Sequence, residues 1–184
     1  GKDALGARME ESGGGTVSRN GFNRMFDFDV FSISESAVLD NLTLGYNQKS
    51  SHIIDEVRIY NESRFTGTFS DVGLVASIHD FDGGEEVNIS ERVGLEARRY
   101  VVAADIVDNS SIRTPVGLTL KNITCLDGLG TVQRNNLANK YVEAVPDNPS
   151  VDGAFSDWDE MDVMGDDMDD LSPNQIWNPN IDMR

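Results

Sequence analysis

Carboxylates are the most densely placed chemically capable residues in this 184-residue chain. Between Asp157 and Asp170 stand Asp157, Asp159, Asp162, Asp166, Asp167, Asp169 and Asp170, with Glu160 among them. Hard oxygen donors at this density suit Ca²⁺, which takes about six to eight oxygen ligands. The spacing is not that of an EF-hand: no Asp-X-Asp-X-Asp-Gly run occurs, and Val163 falls at an intervening ligand position. A solvated acidic segment is the alternative use of the same residues. Asp80, Asp82, Glu85 and Glu86, around Gly83-Gly84, form a weaker second cation candidate.

Asparagine supplies the second kind of chemistry. Asn-X-Ser/Thr occurs at Asn41, Asn61, Asn88, Asn109 and Asn122, while Asn148-Pro149-Ser150 is blocked by its proline. Asn61, Asn88 and Asn109 lie in or beside turn-like stretches, where a bulky glycan is accommodated. These sequons point to a glycosylated, exported protein; the alternative is chance occurrence in a β-rich chain where Asn, Ser and Thr are common.

Little in the chain suggests catalysis. His52 and His79 are far apart, and no nucleophile-base pair is suggested by spacing. Cys125, the single cysteine, follows a strand-like run and reads as a small buried residue; it also rules out an intrachain disulfide. A formal net charge of −17 excludes a nucleic-acid binder, because polyphosphate needs a basic footprint. The same charge disfavours anionic lipid, and the longest apolar run, Tyr100–Ala104, is too short for direct membrane insertion. The chain begins at Gly1 without a methionine, which fits a processed or excised polypeptide.

The elements that must position these residues follow a period of two. Phe26, Phe28 and Val30 fall on one face with Asp27 and Asp29 on the other. The same alternation recurs at Leu42/Leu44/Tyr46, Val57/Ile59, Leu74/Ala76/Ile78, Val87/Ile89, Tyr100/Val102/Ala104/Ile106 and Val116/Leu118/Leu120. The spacing predicts about seven or eight short strands, hence an all-β fold: an immunoglobulin-like two-sheet sandwich with extended N- and C-terminal segments. A closed barrel is the alternative. Thr131–Val145 fits a short helix, or a final strand over Lys140–Val145.

Composition divides the chain into three. Residues 1–20 contain Gly13-Gly14-Gly15 and few large apolar side chains, and read as a flexible arm or linker. Residues 21–145 form the sandwich. Residues 146–184 carry 11 acids against Arg184 alone, four of the five prolines and both tryptophans. Trp158, Ile176, Trp177 and Ile181 interrupt that acidity, which a fully disordered tail would not require. They suit anchorage to the sandwich or to a neighbouring copy by strand addition.

Two stretches carry a resemblance. Val57-Arg58-Ile59-Tyr60, Gly67-Thr68-Phe69 and Val93-Gly94-Leu95-Glu96-Ala97 leading into Tyr100–Ile106 make Phe26–Leu126 resemble the β-sandwich repeats of archaeal and bacterial S-layer-type cell-surface proteins. Asp152-Gly153-Ala154-Phe155-Ser156-Asp157-Trp158 is similar to the opening of DOMON-like and carbohydrate-binding modules. The resemblance implies a surface sandwich, and implies no catalysis from these stretches.

The resulting expectation is an extracellular, non-enzymatic structural subunit of a cell-surface layer, filament or pilus. It assembles with copies of itself through sheet edges, possible Ca²⁺ bridges included. A carbohydrate-binding adhesion module for surface glycans, with Tyr46, Tyr60, Trp158 and Trp177 as candidate aromatics, is the alternative. A viral or appendage spike is a third reading.

Overall fold

The computed structural model describes residues 3–10, 14–19, 21–33, 35–46, 52–107, 110, 113–134 and 138–143. Eleven strands are described: β1 (Asp3–Met9), β2 (Thr16–Val17), β3 (Gly21–Ser32), β4 (Ala37–Tyr46), β5 (Ile54–Asn61), β6 (Leu74–His79), β7 (Glu86–Val93), β8 (Arg98–Ile106), β9 (Pro115–Cys125), β10 (Gly128–Arg134) and β11 (Ala138–Val142). A 3-10 turn, Glu62–Arg64, follows β5. No α-helix occurs among the described residues.

The strands form two sheets packed face to face, the all-β sandwich that the alternating pattern predicts. One sheet has the order β10-β1-β3-β8-β5-β6 and the other β2-β11-β9-β4-β7. Successive strands change sheet at every connection except β5 to β6. Both sheets are mixed, because β1 runs parallel to β10 and β2 parallel to β11.

The apolar phase read from the sequence is the buried phase. Phe26, Phe28 and Val30 of β3, Leu42 and Leu44 of β4, Val57 and Ile59 of β5, and Tyr100, Val102, Ala104 and Ile106 of β8 all enter the core between the sheets. Phe28 and Tyr100 stack across the β3–β8 pair with centroids 5.2 Å apart. A bulge between Leu39 and Asn41 keeps Ala37 and Leu39 inward as well.

The N-terminal segment corrects the expected arm. Residues 3–9 are strand β1, lying between β10 and β3, with Leu5, Ala7 and Met9 fully buried. Their alternation with Gly6 and Arg8 has the strand period; the few large side chains concealed it. Thr16–Val17 joins the other sheet through Tyr141 N–H to Gly15 O and Glu143 N–H to Val17 O. Between Thr131 and Val145 the structure has strands: β10, which continues to Arg134, and then β11. Gly130 lets β10 lie against β9, since a Cβ there would sit 2.1 Å from Ile123 O.

One compact unit extends to Ala144. The acidic segment, residues 146–184, lies outside the described residues.

Candidate functional site

One end of the sandwich gathers the β3–β4 and β7–β8 connections and the turn after β5. Ser32 N–H donates to Gly94 O, and Asn61 N–H to Gly73 O, tying these segments together. Between them opens a groove of 730 Å³, whose walls include Asn61, Ser63, Leu95, Glu96 and Arg98. Ile33, Val72, Leu95, Leu126 and Leu129 stand exposed on the loops and strand ends here, Leu95 at 68% and Leu129 at 67%.

Beside this groove lies a half-buried polar hub. Glu91 Oε2 accepts from Tyr100 Oη at 2.9 Å, Arg98 Nη1 at 3.1 Å and Asn61 Nδ2 at 3.2 Å. Its other oxygen accepts from Arg64. Burial alone would raise the Glu91 carboxyl, but the bonds from Tyr100 and Arg98 and the charges of Arg64 and Arg98 outweigh it and hold it below its ordinary value. Tyr100 is pushed up, by burial first and then by the Glu91 charge. A carboxylate so fully engaged orders the loop end; it is a poor proton carrier. The sequence contained a signal for it: Glu91 is in phase with inward Val87, Ile89 and Val93, and Asn61 with inward Val57 and Ile59.

The outer face of the six-stranded sheet carries a second network. Arg99 grips Asp29 through Nε and Nη2 at 2.8 and 3.0 Å, and Arg8 approaches the same carboxylate at 3.7 Å. The hydrogen bond from Arg99 leads in holding Asp29 below the ordinary carboxylate range. Further along, Phe22, Phe65, Phe69 and Leu74 cover Tyr60, Val101 and Ala103. Arg58 lies over the Phe22 ring at 4.2 Å, donates to Phe69 O and pairs with Glu56 at 2.7 Å. The loop between β5 and β6 is thus folded down onto the sheet, up to the edge that β6 forms.

The four sheet edges differ. β2 has two residues. β7 carries Glu86, Glu91 and Arg92 and is bent at Ser90, whose φ is +52°. β10 is packed on β9. β6, Leu-Val-Ala-Ser-Ile-His, has six residues and no proline, lysine, arginine or carboxylate. It pairs with β5 on one side, and among the described residues no strand pairs with its other side. Short length, charge and bends are the devices that keep sheet edges from pairing, and β6 has none of them along its free side.

The residues singled out from the sequence are scattered. Asn88 and Asn122 are exposed, Asn41 is half-buried, and Asn61 is only 3% exposed. The expected glycan on Asn61 has no room in this fold, because its side chain caps the 3-10 turn and donates to Glu91. Asn109 lies outside the described residues. So do the calcium candidates Asp157, Asp159, Asp162, Asp166, Asp167, Asp169 and Asp170 and the assembly candidates Trp158, Ile176, Trp177 and Ile181. Among the described residues no three His, Cys, Asp or Glu side chains converge as a metal site, and Asp80, Asp82, Glu85 and Glu86 lie around the β6–β7 connection. Tyr60 is buried and Tyr46 packs edge-on against Phe81, so Tyr60 offers no open ring to a sugar. Cys125 is buried, and His79 is exposed, 3.6 Å from Glu56. No helix among the described residues is long and apolar enough to cross a membrane.

No family model matches the sequence, and no curated protein matches it. Among solved structures, the chain is similar to the Hadza microbial sialidase Hz136, with a TM-score of 0.50 and 12% identity over 73% of this chain and 31% of that one. The likeness is one of fold. This chain therefore spans about a third of the sialidase's length. AvmM, which catalyses macrocyclization in alchivemycin A biosynthesis, aligns with a TM-score of 0.42 and 9% identity, over 76% of this chain and 89% of its own. A family 123 glycoside hydrolase from Clostridium perfringens aligns with a TM-score of 0.39 and 10% identity, over 76% of this chain and 27% of its own.

Proposed function

We propose that this chain is an exported, non-enzymatic structural module that associates with copies of itself by strand addition at β6, as a subunit of a cell-surface layer or filament. The observation that supports this reading is the charge-free free side of β6, in a sandwich whose other edges are short, charged and bent, or packed. Residues 3–9 are already in their own sheet, so the donor strand is assigned to the other end of the chain: the apolar and acidic segment 146–184, with Trp158, Ile176, Trp177 and Ile181 as its side-chain anchors. Donor and acceptor are then different surfaces. Such a heterologous contact propagates from copy to copy instead of closing as a two-fold dimer. Ca²⁺ held by Asp157, Asp159, Asp162, Asp166, Asp167, Asp169 and Asp170 would offset the repulsion between acidic segments brought together.

Light scattering of the full chain over a range of concentrations, with Ca²⁺ and with chelator, tests the reading. The expected result is mass that grows with concentration, falls on Ser77→Lys within β6, and is lost on deletion of residues 146–184. A chain that stays monomeric under both conditions overturns it.

A further inference from the structure

The sequons sort by structure into two that are open and two that are committed. Asn88 on β7 and Asn122 on β9 are exposed, and neither Nδ2 donates to a partner among the described residues. At Asn88 the Ser90 hydroxyl donates to Oδ1 at 2.7 Å, a bond that does not engage the amide nitrogen. Asn61 Nδ2 instead donates to the half-buried Glu91 carboxylate, and Asn41 Nδ2 to Asp40 at 3.2 Å. Asn41 also stands directly opposite Asn88 in the β4–β7 ladder, so a sugar on each would contend for the same space.

Both open asparagines project from one surface. Inward Val87 and Ile89 flank Asn88, and inward Ile123 follows Asn122, so both side chains leave the outer face of the five-stranded sheet. Thr43 on β4 lies opposite Asn122, and Asn41, on the same strand, opposite Asn88. The two positions are therefore separated by one strand and close to one another along it.

We infer that Asn88 and Asn122 carry N-linked glycans while Asn41 and Asn61 do not, so that sugar covers the outer face of the five-stranded sheet and leaves β6, in the other sheet, clear. The inference rests on the exported reading above. The transfer uses a polyprenyl-diphosphate-linked sugar: Asn Nδ2 forms a bond to the sugar anomeric carbon, the carbon–oxygen bond to diphosphate breaks, and the amide proton leaves with the polyprenyl diphosphate. A glycan on Asn88 has a further effect, because β7 is itself a sheet edge. Bulk there denies β7 to an incoming strand and directs association to β6.

The test is peptide mapping of the chain purified from its own source, with enzymatic glycan removal in heavy-oxygen water, which marks each formerly glycosylated asparagine as labelled aspartate. Label at Asn88 and Asn122, with Asn41 and Asn61 unlabelled, is the expected result. Unlabelled Asn88 and Asn122, or label at Asn61 or Asn41, overturns the inference. Light scattering of the Asn88→Gln, Asn122→Gln double variant keeps the two readings apart: loss of label with retained association isolates the glycans from the assembly edge.

Discussion

Glu91 Oε2 accepts a 2.9 Å hydrogen bond from Tyr100 Oη, and the bond joins edge strand β7 of one sheet to central strand β8 of the other. Arg98 and Asn61 share the same oxygen, so one carboxylate staples the two sheets where the β7–β8 loop turns.

Glu91→Gln should therefore destabilise the fold by about 2 kcal/mol at neutral pH, since charge-assisted bonds to Arg98 and Arg64 are lost. The carboxyl is held below its ordinary value, so its contribution is complete above the ordinary carboxylate range and is lost as pH falls through the depressed value. Denaturant midpoints at about pH 7 and about pH 3 check this: the gap between wild type and variant narrows in acid. An equal gap at both would sink the electrostatic account.

Asp105 should behave with the opposite sign. Burial first, and then the neighbouring Asp55 and Glu56 charges, push its carboxyl up, and Glu56 is its cross-strand partner. The folded state thus binds this proton more tightly than the unfolded chain, and stability declines as pH rises through the raised value. Asp105→Asn is expected to stabilise the protein at neutral pH by up to about 1 kcal/mol, with the gain vanishing in acid. Thermal melts across pH would show it, and a destabilised variant at neutral pH would refute it.

Leu5→Ala tests the placement of the N-terminal strand. Leu5 is fully buried in the core, so truncation should cost about 2–5 kcal/mol, the range for large-to-small core changes. Removal of residues 1–9 should leave no cooperative unfolding transition, because β3 and β10 would each lose a neighbour. A stable, cooperatively folded truncation would show that the segment is the dispensable arm its composition suggests.

Gly130→Val should loosen the β9–β10 side of the sandwich. The new side chain would meet Ile123 O, a backbone atom that cannot rotate away. Faster amide exchange confined to β10 and β1 is the expected signature, with β5 and β8 unchanged.

The strands that the sequence disclosed are those whose large apolar side chains alternate: β3 through β9. Those it concealed alternate with glycine or small residues, as in Leu5-Gly6-Ala7 and Gly128-Leu129-Gly130, where no sizeable side chain marks the phase. The aromatic cluster of Phe22, Phe65 and Phe69 stayed hidden for another reason: two of its members sit in a loop, which has no period. Glu91 and Asn61 were legible in principle as polar residues in the apolar phase. Their partners Arg64 and Tyr100 were not, because only the folded register brings them together. The plainness of β6 as an edge required knowing the strand order, which composition does not encode.

The parallel pairing of β1 with β10 sets the order in which the molecule is completed. Asp3 meets Gly128 and Thr16 meets Tyr141, so β1 and β2 must wait for β10 and β11, far along the chain, before either sheet is whole. Until β10 and β11 are made, β1 and β9 stand as temporary open borders, exposed to any other unfinished chain nearby. The yield of a protein built this way in a foreign host should depend on the speed of translation more than on final stability.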